Sequence, residues 1–110
     1  MKRAMRLSPI YPQWYFMMVG VVHHIVGDQD KAIGVFRECV AKEPETTVHR
    51  IWLASALIEV AQDEEAKLLA AEILEIDPDF TTSGWVDGFG RDENLTNLLL
   101  TNLGKAGLPN

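Results

Sequence analysis

The sequence predicts an all-α protein in which antiparallel helix–turn–helix units repeat along the chain. The first observation is an internal repeat: the step from Ala32 to Ala66, which stand in similar contexts, equals the step from Pro44 to Pro78. This interval, called the repeat period below, is about 34 residues, within the range typical of stacked helical repeats. The second observation is that apolar residues recur at steps of three and four, the spacing of one buried helix face. No stretch of the sequence shows the two-residue alternation of a half-buried strand, so a sheet is not expected.

The first unit is predicted to contain two helices. One begins near Pro12, whose missing N–H costs nothing at a helix entrance, runs to about Val26 and ends at Gly27, a common helix terminator. Asp28 is expected to cap the second helix, which ends before Pro44. The apolar face of the second helix is formed by Ala32, Ile33, Phe36, Cys39 and Val40.

The second unit repeats this plan, with helices at about residues 47–60 and 63–76 and with Pro78 at its end. The apolar residues of its first helix are Ile51, Leu53, Ala54, Leu57 and Ile58. Those of its second helix are Ala66, Leu69, Ala70, Ile73 and Leu74. Each helix therefore has one face that must be buried against a neighbour.

The pattern changes in the C-terminal region. A short helix around Trp85 is predicted within residues 81–89, where glycines weaken it. A last helix, capped by Asp92, follows it. The apolar face of this last helix is formed by Leu95, Leu98, Leu99 and Leu103. Terminal repeats are commonly atypical, so residues 81–107 are interpreted as a shortened third unit that covers the stack.

Length and charge narrow the function classes. The chain has 110 residues, which suits one domain, and its formal net charge is −6. An acidic chain is a poor match for nucleic acid, because phosphate binding needs clustered Lys and Arg, and here the basic cluster is limited to Lys2, Arg3 and Arg6. One cysteine excludes an internal disulfide, so a cytoplasmic location is expected. The apolar run at residues 14–22 is too short to span a membrane.

These residues resemble the tetratricopeptide (TPR) family. In the first full unit, residues 13–46, the resemblance rests on Gly20, Gly27, Ala32, Phe36, Cys39 and Pro44. In the second, residues 47–80, it rests on Ala54, Ala66 and Pro78, while Ala70 and Ile73 depart from the family pattern. Residues 4–9 resemble the tail of a preceding unit. The resemblance implies that residues 1–110 form a single TPR-like domain, a right-handed superhelix of helix pairs with a C-terminal capping helix.

The TPR resemblance also implies a concave face, made mainly by the first helix of each unit, that contacts a partner. The residues assigned to this groove are Trp14, Met17, Val21, His24, Val48, Ile51, Ser55, Ile58 and Trp85. The set is unusually apolar for a solvated groove, and a large apolar patch indicates a partner. A protein, a peptide or a second copy of the chain is the expected occupant, with cover by the last helix as the open alternative. Because two units lie near the lower limit for a stable stack, a homodimer is predicted.

A narrower resemblance concerns the C-terminal tail of certain bacterial class III adenylate/guanylate cyclases. It rests on the order of residues 7–9, two helix pairs, the segment 77–80 and the closing segment 105–109. In those enzymes a cyclase domain precedes TPR units, so the resemblance implies a non-catalytic regulatory or scaffolding region. A stand-alone TPR adaptor unrelated to cyclases is the alternative.

Catalysis and metal binding are not indicated by the sequence. His23 and His24 are adjacent, so on a helix they point about 100° apart and are poorly placed to share a metal ion. His49 stands alone and is expected at the surface. Cys39 is interpreted as a packing residue rather than as a nucleophile. No catalytic residue, metal site or cofactor is therefore predicted, and a small enzyme or metal-binding protein is the remote alternative.

Overall fold

The computed structural model describes residues 13–86 and 93–109, with side chains from residue 15 onward. This part of the chain contains six helices and no strand, so the all-α prediction is confirmed. The helices are α1 (Gln13–Ile25), α2 (Gln29–Lys42), α3 (Thr47–Glu59), α4 (Asp63–Ile76), α5 (Thr82–Val86) and α6 (Glu93–Ala106). The predicted tail of a preceding unit at residues 4–9 and the predicted cap at Asp92 lie outside the described residues. None of the helices in the described segments is long and apolar enough to cross a membrane.

The helix bounds repeat with the period seen in the sequence. Helices α3 and α4 begin and end one repeat period after α1 and α2. The turn after α1 contains Gly27 at φ +91°, and the turn after α3 contains Ala61, one repeat period later, at φ +62°. In each turn the backbone amide of the following residue donates to a carbonyl of the helix: Asp28 N donates to His23 O at 2.8 Å, and Gln62 N donates to Leu57 O at 2.9 Å. Both helices therefore end in the same left-handed motif, which satisfies their last carbonyls.

Ala61 lies in the left-handed region, which costs an L-residue about 1–2 kcal/mol. Replacing Ala61 with glycine is expected to raise the free energy of unfolding by about 0.5–1 kcal/mol, because glycine's larger unfolded-state entropy offsets only part of that relief. Urea denaturation followed by circular dichroism measures the change. The matched control is Ala71→Gly on an exposed face of α4, where glycine is expected to cost about 1 kcal/mol. Equal destabilisation by both substitutions would contradict the left-handed turn at Ala61.

Asp28 stands at the N-cap of α2 but does not cap it with its side chain, which corrects the prediction. Its backbone, at φ −91° and ψ 72°, departs from the extended conformation that a capping side chain uses. The carboxylate instead lies 3.7 Å from Lys31 Nζ and 4.0 Å from His23 Nδ1. The start of α2 therefore keeps a negative charge nearby without the expected capping bond.

The two helices of the first unit approach closely at Gly20. A Cβ atom at this position would lie 2.6 Å from Phe36 Cε1, nearer than real contacts allow, so the Phe36 ring fills the space that glycine leaves. One repeat period later, the positions equivalent to Gly20 and Phe36 are occupied by two small buried residues, Ala54 and Ala70. Helices α1 and α2 therefore pack through one glycine and one large side chain, whereas α3 and α4 pack through two small side chains.

Helix α3 is the centre of the core. It packs against α2 on one side and α4 on another, and α6 lies against both α3 and α4. Every side chain of residues 51–58 is buried. His49, expected at the surface, is also buried: its Nε2 lies 2.7 Å from Oε1 of Glu43, the C-cap residue that follows α2. That expectation was wrong because α3 is enclosed on more faces than an end helix would be.

The chain closes on itself after α6. Gly107 adopts φ +101°, and Leu108 N donates to Leu103 O at 3.0 Å, so α6 ends in the same left-handed motif as α1 and α3. Thr82 N, at the start of α5, donates to Pro109 O at 2.8 Å. This bond holds the C-terminal segment beside α5, with the Leu108 side chain buried in the core.

Candidate functional site

The structure buries most of the side chains assigned to the concave groove. Those that are buried are Val21, His24, Ile51, Ser55 and Ile58. Those that are half-buried and packed against the core are Met17, Val48 and Trp85. The side chain of Trp14 lies outside the described residues. Helix α6 packs on α3, so the open alternative, cover by the last helix, is the arrangement seen at Ser55. Partner binding by these residues stays a prediction, and in this conformation it requires α6 to move.

A chain of polar groups, buried at His24, Ser55 and Asn102, crosses this covered face. His24 Nε2 on α1 lies 2.9 Å from Ser55 Oγ on α3. Asn102 Nδ2 on α6 donates to Ser55 Oγ at 3.1 Å and to Glu59 Oε2 at 2.8 Å. At the other end, Gln29 Oε1 lies 2.7 Å from His24 Nδ1. These side chains, called the polar chain below, join α1, α3 and α6 through hydrogen bonds.

The direction of each hydrogen bond in the polar chain follows from its ends. Gln29 Nε2 donates to the backbone oxygen of His24 at 3.1 Å, so Gln29 Oε1 faces the ring and accepts the Nδ1 proton. His24 Nε2 is then an acceptor, and the Ser55 hydroxyl donates to it. Asn102 in turn donates to the Ser55 oxygen. Each donor in the polar chain therefore faces an acceptor only while His24 is neutral, because a proton on Nε2 would remove the acceptor of the Ser55 hydroxyl.

A serine that donates to a histidine is also the first part of a nucleophilic relay. In this protein the Ser55 side chain is fully buried and His24 is only 2% exposed, so a substrate has no access to the hydroxyl oxygen. The Ser55 oxygen already accepts a bond from Asn102. The arrangement therefore fixes α6 against α1 and α3. The sequence pattern had placed His24 and Ser55 on one face, but Gln29 and Asn102 were missed because no local spacing links them to that face.

Burial lowers the pKa of His24 below its usual value of 6.5, and the hydrogen bond that its ring donates to Gln29 and the charge of Glu59 oppose this in part. The unfolded chain therefore takes up a proton on His24 before the folded chain does. The contribution of neutral His24 to stability is complete above about pH 6.5 and is lost as the pH falls towards the folded-state pKa.

We therefore expect the free energy of unfolding to fall as the pH falls below about 6.5, with a slope of at most about 1.4 kcal/mol per pH unit. Urea unfolding at several pH values between about 5 and 8 measures the slope. His24→Gln is expected to remove this slope, whereas the matched control His23→Gln, on the partly exposed neighbour, is expected to keep it. An unchanged slope in His24→Gln would assign the pH dependence to another group.

The exposed apolar surface is concentrated on α1. Of the seven large apolar side chains exposed in the described residues, five belong to α1 or the residue after it. They are Tyr15 (38% exposed), Met18 (43%), Val22 (55%), Ile25 (54%) and Val26 (70%). The first four follow each other at steps of three, four and three, so they share one face of the helix, called the α1 stripe below. The opposite face of α1 carries Gly20, Val21 and His24 into the core.

Helix α1 also lacks charged side chains of the Asp, Glu, Lys and Arg types over its 13 residues. A surface helix usually carries such residues on its solvent side, and a helix that is apolar all round is usually buried. Helix α2 covers one side of α1, and the α1 stripe lies on the other. The sequence and the exposure together show that the α1 stripe is an exposed apolar surface on a helix without Asp, Glu, Lys or Arg.

The remaining candidates are accounted for by packing. In the described residues no three His, Cys, Asp or Glu side chains converge as metal ligands. Cys39 is buried, which fits its interpretation as a packing residue. His23 lies beside Asp28 rather than beside a second ring.

Comparisons of the chain with protein-family models, curated proteins and solved structures found no match.

Proposed function

We propose that this chain is a non-catalytic protein–protein interaction module built from TPR-like helical repeats. The observation that carries the proposal is the α1 stripe, where Tyr15, Met18, Val22 and Ile25 expose apolar side chains on one helix face. Burial of such a surface against a partner is favourable by about 25 cal/mol per Å² of apolar area. The proposal includes a cytoplasmic location, which the single cysteine supports.

The TPR part of the proposal is supported by several regularities. The helix bounds and the turns recur after one repeat period, which matches the length of a TPR unit, about 34 residues. The residues that the resemblance assigned to packing are mostly in the core: Ala32, Phe36, Cys39, Ala54 and Ala66 are each at most 1% exposed. Gly20 allows the close approach of two helices, as its family role requires. Helix α6 covers α3 and α4, as a capping helix does.

The contact surface in this proposal differs from the groove expected from the sequence. The polar chain ties α6 over the groove at Ser55, and breaking it would leave buried polar groups without partners. The α1 stripe needs no such rearrangement, because its side chains are already exposed. The proposed contact therefore lies on the face of α1 that is turned away from the core.

Site-specific photo-crosslinking tests the interaction function. A benzophenone amino acid replaces Ile25 in the α1 stripe, and the matched control replaces Ile76 at the end of α4, which is similarly exposed. The variants are expressed in cells of the source organism and irradiated. We expect a protein adduct from the Ile25 position and a much weaker one from the Ile76 position. Equal adducts, or none, would contradict an interaction surface on α1.

The narrower proposal is that the module is the C-terminal region of a nucleotide cyclase. Its support is the order of the segments 77–80 and 105–109 after two helix pairs. In the structure residues 77–80 form a hydrogen-bonded turn, in which Phe80 N donates to Asp77 O at 3.1 Å. Residues 105–109 contain the end of α6 and the left-handed turn after it, in which Leu108 N donates to Leu103 O at 3.0 Å. In-frame coding sequence for a cyclase domain immediately upstream is the expected result. Its absence from the gene would leave the stand-alone adaptor.

A further inference from the structure

We propose that the α1 stripe pairs with the α1 stripe of a second copy of this chain, in an antiparallel arrangement centred on the level of Gly20. This inference deepens the proposed interaction function and rests on it. The partner is identified by three features of the described residues: the internal repeat, the absence of charge on α1, and the spacing of the four stripe residues.

The internal repeat shows what kind of neighbour the stripe needs. One repeat period after Tyr15, Met18 and Val22 stand His49, Trp52 and Ala56, which are buried, whereas Glu59, the counterpart of Ile25, is exposed. Helix α2 covers that face of α3. The rings of Phe36 and Trp52 stack with their centroids 6.3 Å apart, and Glu43 reaches His49. The same face of α1 is therefore shaped to take a helix lying alongside it, as α3 takes α2.

The absence of charge favours a second copy as that neighbour. Each chain carries a formal net charge of −6, so two copies repel each other across most of their surfaces. Helix α1 contains no Asp, Glu, Lys or Arg side chain, so two stripes meet without placing like charges in contact. The stripe is thus a face on which an acidic chain is able to approach its own copy.

The spacing of the stripe residues fits a twofold axis. Tyr15 and Met18 lie five and two residues before Gly20, and Val22 and Ile25 lie two and five residues after it. In an antiparallel pair whose axis passes at the level of Gly20, Met18 of one chain faces Val22 of the other. Tyr15 likewise faces Ile25. A closed dimer requires such a self-complementary patch, and steps of three and four residues form the apolar seam of paired helices.

The area of the α1 stripe limits the expected affinity of the dimer. A helix of 13 residues is about 20 Å long, so one helix pair provides less than the roughly 1,200 Å² of a standard stable interface. We therefore expect a dimer that dissociates on dilution, with a dissociation constant of about 10–100 μM. Higher salt is expected to strengthen it, because screening reduces the repulsion between two acidic chains.

Light scattering on the purified full chain tests the pairing. Between about 1 μM and 1 mM, a range chosen around the expected dissociation constant, the mass is expected to rise from 12.3 kDa towards twice that value. Val22→Glu places a charge in the seam and is expected to weaken dimerisation at least about tenfold. Leu68→Glu on α4 is the matched control. It makes the same change of charge at an apolar side chain that is 66% exposed, against 55% for Val22, and is expected to dimerise like the wild type.

Disulfide trapping tests the antiparallel register. In a Cys39→Ala background, a mixture of Met18→Cys and Val22→Cys chains is expected to form mixed disulfide dimers faster than either variant forms dimers alone. A parallel pair would instead favour disulfides within each single variant. Circular dichroism of every variant checks that the helices are intact.

The outcomes separate this inference from the proposed function. A single-chain mass at all concentrations, or a dimer that Leu68→Glu weakens and Val22→Glu does not, overturns the pairing of two α1 stripes. If the crosslinker at Ile25 then captures a different protein, the interaction function stands and the partner is not a second copy. If the chain is monomeric and the crosslinker captures nothing, both proposals fail.

Discussion

Replacing Phe36 with alanine is expected to lower the free energy of unfolding by about 3–5 kcal/mol. The Phe36 side chain is fully buried between α1 and α3, where it fills the space above Gly20 and stacks on Trp52. Because small domains have a total stability of about 5–15 kcal/mol, this single loss removes a large part of it. Urea unfolding followed by tryptophan fluorescence measures the change.

The internal repeat supplies a strict control for this prediction. With Phe36 present, Gly20→Ala is expected to destabilise the fold, since the added Cβ would meet the ring at 2.6 Å. With Phe36→Ala, the same change is expected to stabilise it by about 1 kcal/mol, because alanine is the better helix former. The double variant reproduces the Ala54 and Ala70 pair of the second unit. A Gly20→Ala effect of the same sign in both backgrounds would contradict the proposed contact.

Replacing Asn102 with alanine is the second large expected effect, at about 2–3 kcal/mol. Asn102 is 3% exposed and donates to the buried Ser55 Oγ and to the Glu59 carboxylate, so its loss leaves the buried Ser55 oxygen without this donor. If the destabilisation appears as local opening of α6, hydrogen exchange of the α6 amides should speed up by about 30- to 160-fold. The measurement is native-state exchange at neutral pH.

The control for Asn102→Ala is Asn97→Ala on the same helix. Asn97 is exposed, so its removal is expected to change stability by less than about 0.5 kcal/mol. Uniform acceleration of exchange across α1 to α6 in Asn102→Ala would mean global destabilisation only. That result would contradict the view that the polar chain specifically holds α6 in place.

The two faces of α1 explain how the proposed interaction surface differs from the groove expected from the sequence. The inner face meets α2 and the polar chain, where Asn102 attaches α6 to α3 across the predicted groove. The outer face keeps its apolar side chains exposed. If both proposals hold, a change at Asn102 should loosen α6 without removing dimerisation, and a change at Val22 should do the reverse.

The sequence by itself determined the helices and their period. The helix-terminating residues Gly27, Pro44 and Pro78, together with apolar residues at steps of three and four, predicted the ends of four helices to within about two residues. Gly20 and Phe36 were singled out by the TPR resemblance as packing residues, while their direct contact was found in the structure. These features follow from local conformational preferences and from contacts between neighbours in the chain.

Only the tertiary structure decided which faces are covered. The burial of His49, the link from Ser55 to the distant Asn102, and the exposure of the α1 stripe depend on where α2 and α6 pack. Helical periodicity shows that a helix has an apolar face but not which neighbour buries it, and α1 is apolar on both sides. The choice between a covered groove and an exposed stripe is made by long-range packing, which local spacing does not encode.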